Sequence, residues 1–323
     1  MPPHPRPKWD PEFPVDVGRE LTALRAHANE RGIPERAPDR LLLATWNIAN
    51  LGVQKRDEPQ DYSLLAEIVS WFDIVAVQEV NDNLSGLRAL MGHLPGHYRM
   101  LFSEASGNQE RAAFIYDSET VAQLEKVGRL SIPPSQLKNI KLPGSTQPFQ
   151  GFDREPYMAA FAAHNGTFRF LLVSVHLYYG GETKTDIERR ALETFAVAWW
   201  SDRRRRSTNA FVSDIIPLGD FNLPKLDDDD PIYKALKSRG LKLPDEEARR
   251  ISQIGGTSLG GLHHYDQIAF FPAATTELER VDVFDFERPM FRDVFEHKTL
   301  TQFLAYVRFH MSDHRPLWAQ FKL

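Results

Sequence analysis

Five segments of this chain carry, at or near one end of an apolar run, a side chain that can hold a hard cation or move a proton. LLLATWNI (Leu41–Ile48) carries Asn47, DIVAVQEV (Asp73–Val80) carries Glu79, and RFLLVSVHL (Arg169–Leu177) carries His176. Asp220 and Asn222 follow Ile215–Gly219, and Asp313 and His314 precede Leu317–Lys322. An apolar strand with a reactive tip is how a rigid scaffold presents a site. Each has a plainer reading alone: Asn47, Asp220 and Asn222 as turn residues, His176 as a structural histidine, Asp313 as a helix cap. Glu79 resists it most, because a carboxylate among Ile, Val and Ala is costly to bury unless paired or metal-bound. One shared site accounts for all five segments at once. Asn47, Glu79, Asp220, Asn222 and Asp313 offer only oxygen donors, which suit Mg²⁺, Mn²⁺ or Ca²⁺ rather than zinc. His176 and His314 are then free for proton transfer or for bonding a phosphate oxygen.

The scaffold that must carry them is an ordinary folded chain. Of 323 residues 42% are hydrophobic and 26% charged, so a sizeable core can form. The net charge of -5 excludes a globally basic nucleic-acid coat, leaving a local patch or bound cations to meet any polyanion. Cysteine is absent, which excludes disulfides, thiolate metal sites and cysteine nucleophiles. The proline-rich start does not read as a secretory signal, and no apolar run reaches the ~20 residues of a membrane span. A cytoplasmic location is the expectation.

Short apolar runs alternate with amphipathic stretches. Strands are predicted at Leu41–Ile48, Asp73–Val80, Ala112–Tyr116, Tyr157–Ala162, Arg169–Leu177, Ile215–Gly219, Tyr265–Phe271 and Leu317–Lys322. Helical spacing marks Val15–Arg31, Tyr62–Trp71, Asp186–Trp200 and Pro231–Arg239. Ile132–Phe152 reads as a long polar loop of the kind that is often functional. This alternation predicts a layered α/β protein. Residues 1–39 form an N-terminal extension with a helix, and residues 40–323 one domain.

The set TWNIANLG, VAVQEV, SVHLYYG, LGDFNLP, HHYDQIAF and SDHRPLWAQF, in this order, resembles the endonuclease/exonuclease/phosphatase superfamily. Glu110 in NQERAAFIYD and Arg154 in FDREPYMAAF tilt the likeness towards the deoxyribonuclease I branch; QEVN where the abasic-site branch has QETK, and the lack of cysteine, depart from its neighbours. The resemblance implies a four-layer αββα sandwich of two packed mixed β-sheets. It implies a divalent-metal-dependent phosphodiesterase using Mg²⁺, with Mn²⁺ or Ca²⁺ as substitutes, and most closely an endonuclease acting on DNA. The alternative on the same scaffold is a phosphatase or a sphingomyelinase-type head-group hydrolase. Glu79 would be the main metal ligand, with Asn47 and Asp313 beside it. Asp220 and Asn222 would hold a second ion or orient the phosphate and water. His314 with Asp266 would be the base, His176 with Glu110 the acid or phosphoryl-oxygen donor, and Arg154 a phosphate fork. The expected partner is a nucleic acid, with neither membrane nor obligate protein partner. Arg203–Arg206 reads as a solvated helix end, Asp227–Asp230 as a helix N-cap, and Trp199 and Trp200 as core.

Overall fold

The computed structural model describes residues 2–163, 166, 168–244, 255–272 and 277–323. Two sheets pack face to face. The first has the order β10 (Leu278–Val283), β11 (Leu317–Lys322), β1 (Arg40–Leu51), β2 (Ile74–Asn81), β4 (Glu110–Asp117), β3 (Tyr98–Phe102), and the second β5 (Val121–Arg129), β6 (Tyr157–Ala163), β7 (Arg169–His176), β8 (Asp214–Asp220), β9 (Asp266–Ile268). Each is mixed, with one parallel pair near its middle: β1 (Arg40–Leu51) beside β2 (Ile74–Asn81), and β7 (Arg169–His176) beside β8 (Asp214–Asp220). All four are buried on both faces, so they read as near-continuous apolar runs.

Period-2 alternation sorts their side chains into layers. Leu41, Leu43, Ile74, Ala76, Phe170, Leu172, Ile216 and Leu218 meet in the core between the sheets. Leu42, Ala44, Trp46, Val75 and Val77 face α1 (Val17–Glu30) and α2 (Gln60–Ser70), and Leu171, Val173 and Val175 face α5 (Lys184–Arg205). Helices cover both outer faces, giving the expected four layers.

The predicted strands are present with shifted bounds. β1 runs on to Leu51, so Asn47 lies inside it rather than at its end. Tyr265–Phe271 keeps only Asp266–Ile268 as β9, followed by a bridge from Lys242 to Phe270. Three strands fall outside the sequence reading: β3 (Tyr98–Phe102), β5 (Val121–Arg129) and β10 (Leu278–Val283). Each is an edge strand with an exposed face, and VAQLEKVGR or LERVDV shows the polar interruptions such edges carry. The C-terminal helix Leu300–His310 also escaped, although Thr299 and Gln302 close a capping box at its start.

The described residues 2–39 are packed against the sandwich. Leu24, Ala28 and Ile33 share the core of the first sheet's outer face, with Trp9 and Phe13 against it. Ile132–Phe152 is anchored by buried Ile140 and Phe149 and contains one short helix, Pro134–Leu137. Among the described residues no helix is long and apolar enough to cross a membrane.

Candidate active site

The core between the sheets changes character at one end. Two residues beyond the apolar positions Leu43, Ala76 and Leu172 come Thr45, Gln78 and Ser174, on the same faces of their strands. They bond across the seam, Gln78 Nε2 donating to Thr45 Oγ1 at 3.2 Å and to Ser174 Oγ at 3.0 Å. Two residues further, the same parity delivers Asn47 and His176, and on β8 and β9 Asp220 and Asp266. Glu79 is out of phase with Gln78. Its φ of 58°, left-handed and uncommon for a glutamate, reorients the strand end at that point.

These groups meet. Asn47 Nδ2 donates to Glu79 Oε1 at 3.0 Å and to Asp220 Oδ2 at 3.2 Å, and the Asn50 amide donates to Glu79 Oε2 at 2.9 Å. Each imidazole has a carboxylate at both ring nitrogens. His314 Nδ1 lies 2.7 Å from Asp266 Oδ2, and its Nε2 lies 3.9 Å from Asp220 Oδ2. His176 Nδ1 lies 3.1 Å from Glu110 Oε2, and its Nε2 lies 3.7 Å from the same Asp220 oxygen and 3.9 Å from Glu79 Oε1.

The electrostatics follow from burial and these partners. At Glu110, burial works upward but is outweighed by the His176 hydrogen bond and charge and by Arg154, so its pKa is held down to about 2. Burial disfavours a charged His314, yet Asp266, Asp220 and Asp313 together push its pKa well above the ordinary imidazole value. Burial pushes the Asp266 carboxyl up against the pull of His314. Asp313 is raised by burial but held well below the usual carboxylate range by the His4 hydrogen bond and the His314 charge.

Arg154 sits beneath the site. Nε donates to His176 O at 3.0 Å, Nη2 to Leu177 O at 3.4 Å and Nη1 to Asp153 Oδ2 at 2.9 Å, with Glu110 Oε2 3.6 Å from Nε. Its guanidinium thus braces the end of β7 from below. Asn222 is likewise oriented, its backbone N–H donating to Asp220 Oδ1 at 2.8 Å and its side-chain amide to Leu177 O at 2.8 Å. Gly219 allows this approach: its φ is 124°, and a Cβ there would fall 2.2 Å from Val175 O.

The oxygen set fits a hard divalent cation of the kind this arrangement implies. Asn47 Oδ1 and Asp313 Oδ1 are buried and have no hydrogen-bond partner, and Glu79 lies between Asn47 and an open cleft of about 310 Å³ lined by Asn50, Val53, Asn81, Asn108 and Glu110. Asp220, Asp266 and His314 also offer ligand atoms within 4.8 Å of one another.

Several supporting groups were not singled out from the sequence. Ser312 Oγ donates to Asn47 O at 2.6 Å and accepts from the backbone of Ala49 and His314, tying the last motif to β1. Trp46 Nε1 donates to His314 O at 2.8 Å. A polar residue one or two positions from a motif residue is the only signal these leave in the sequence. The charge runs stay outside the site. Arg205 and Arg206 pair with Asp202 at 3.0 and 2.8 Å, Arg203 lies over Trp199, and Asp230 caps the helix Pro231–Lys237 through the N–H groups of Ile232 and Tyr233.

No family model matches the chain. A protein described as a deoxyribonuclease from Thioalkalivibrio sp. strain K90mix is 29% identical over 199 residues, covering 59% of this chain and 49% of that protein. The match thus spans about half of that relative's length. Among solved structures, an endonuclease/exonuclease/phosphatase family protein from Bacteroides thetaiotaomicron is 21% identical with a TM-score of 0.59, covering 88% of this chain and 96% of that one. The mannosyl-6-phosphatase Bt3783 from Bacteroides thetaiotaomicron VPI-5482 is 20% identical with a TM-score of 0.56, covering 86% and 98%. At these identities the structures speak for the fold alone.

Proposed function

From the endonuclease/exonuclease/phosphatase fold of this chain, we propose that it is a divalent-metal-dependent phosphodiesterase and, more narrowly, an endonuclease that hydrolyses DNA. One observation carries this reading: two imidazoles, each backed by its own carboxylate, present Nε2 to a single oxygen of Asp220 at 3.7 and 3.9 Å, beside the Asn47–Glu79 pair. Paired acid and base groups flanking hard oxygen donors suit in-line hydrolysis of a phosphodiester.

Glu79, Asn47 and Asp313 would hold Mg²⁺, with Asp220 and Asn222 available to a second ion or to the attacking water. The bound cation would supply charge neutralisation on the phosphate. His314, oriented through Nδ1 by Asp266, would take the proton from water on Nε2 once a bound cation has offset the surrounding carboxylate charge. His176, its Nδ1 facing Glu110, directs Nε2 at a phosphoryl oxygen or the leaving group. Arg154 fixes the His176–Leu177 backbone. The preference for a nucleic acid rests on Glu110 and Arg154, and on the similarity to a protein described as a deoxyribonuclease.

The test is a substrate panel with Mg²⁺, Mn²⁺ or chelator: supercoiled plasmid, single-stranded DNA, RNA, a phosphomonoester and sphingomyelin. Cation-dependent plasmid nicking is expected, falling by about 10²–10⁴-fold in Glu79→Ala, Asp220→Ala and His314→Ala. Turnover of only the phosphomonoester or sphingomyelin would overturn the nuclease reading. Wild-type rates in all three variants would overturn the site.

A further inference from the structure

The N-terminal arm reaches the same site. His4 Nε2 lies 3.3 Å from Asp313 Oδ2, the two side chains being 23% and 20% exposed. We propose that His4 is a positioning residue of the active site, holding Asp313 Oδ2 so that Oδ1 faces the cation; the inference rests on the metal-dependent reading above.

The arm is built to deliver this side chain. Pro2, Pro3 and Pro5 surround His4 and favour extended backbone, which lowers the entropy of fixing the segment. His4 keeps the one backbone N–H among residues 2–5, and it is used: it donates to Gln54 Oε1 at 2.8 Å while Gln54 Nε2 donates back to His4 O at 3.0 Å. Gln54 is buried, and its own N–H bonds Asn50 O, next to the amide that contacts Glu79. Two residues on, Arg6 forks onto Asp57 at 3.1 and 2.7 Å, bonds Asp10, and lies over the Phe309 ring. Asp10 is buried against His310, and Trp9 stacks on Tyr306 with centroids 5.7 Å apart. The arm is therefore fastened at residues 4, 6, 9 and 10 to β1's exit loop and to the helix that leads into Asp313. A histidine on one carboxylate oxygen, with the other oxygen buried and unpaired, is an outer-shell arrangement of the kind that orients metal ligands.

The test is calorimetric titration of Mn²⁺ into the substrate-free 323-residue chain. His4→Ala should weaken Mn²⁺ binding about 10-fold, with an unchanged melting temperature in chelator, and His4→Gln, which keeps a terminal N–H donor, should restore most of it. Glu79→Gln separates the two ideas. If Glu79→Gln abolishes binding while His4→Ala binds like the wild type, the role of His4 is wrong and the metal site stands. If the wild type takes up no Mn²⁺, or Glu79→Gln binds as tightly as the wild type, both fall.

Discussion

His176 and His314 direct the same nitrogen, Nε2, at the same oxygen, Asp220 Oδ2, from strand ends in the second sheet and the approach to the last strand of the first. Their Nδ1 atoms are committed elsewhere, to Glu110 and Asp266. In the proposed reaction the two rings would serve one centre, and their loss should not be additive. Each of His176→Ala and His314→Ala should lower kcat for plasmid nicking by about 10²–10⁴-fold, while the double variant should fall little below the worse single one. Steady-state kinetics on the three proteins decide this; a double variant at the product of the two single losses would mean the rings act in separate steps.

A second histidine network, outside the site, sets a pH dependence of stability. His310 is fully buried, with Nδ1 2.8 Å from Asp61 and Nε2 3.4 Å from Asp10, while Arg6 stands behind Asp10 and Arg56 near Asp61. Burial opposes its charge, but the two aspartates outweigh burial and push its pKa up to about 9. The folded value lies above the unfolded one of about 6.5. The contribution is therefore complete below pH 6.5 and disappears as pH rises through about 9, up to a ceiling of about 3 kcal/mol. Denaturant unfolding at pH 6 and pH 9.5 should show this loss, and His310→Gln should remove most of it. Equal slopes in the two proteins would refute the assignment.

How much of this was legible in the sequence depended on phase and distance. Thr45 and Asn47, Ser174 and His176, and Leu218 and Asp220 keep the strand period, so the polar tips that can be read off the apolar runs lie along one seam in the structure. Glu79 breaks that phase through its left-handed φ, so its type could be read but its direction could not. The edge strands were hidden because one face is solvated and pairing on one side only leaves them polar. His4 and His310 left no signal because their partners are remote: His310 meets Asp61 across 249 positions, and nothing local marks either residue as paired. Arg154 stood out by its side-chain type, but two of its bonds go to the main-chain carbonyls of His176 and Leu177, which side-chain types do not reveal.

Glu193 extends the pH argument to the acid side. It lies within α5, buried, and its two oxygens accept the backbone N–H groups of Asp153 and Tyr178, each 3.1 Å away, thereby bracing the segments on either side of Arg154 and His176. Burial dominates, and its pKa is pushed up to about 7 despite these bonds and Arg189. Here the folded form holds its proton longer than the unfolded chain, whose carboxyl titrates near 4.3. Stability therefore falls as pH rises from about 4.3 to 7, by at most about 4 kcal/mol. Glu193→Gln should flatten that window while costing about 1–3 kcal/mol throughout, because its amide cannot accept both N–H bonds. Since His310 acts between about pH 6.5 and 9, the wild type should lose stability across both windows. Each variant should abolish only its own part of the decline. Urea midpoints taken at half-unit pH steps on the three proteins would show this, and a single variant that flattened both windows would mean the two groups are coupled through the fold rather than titrating apart.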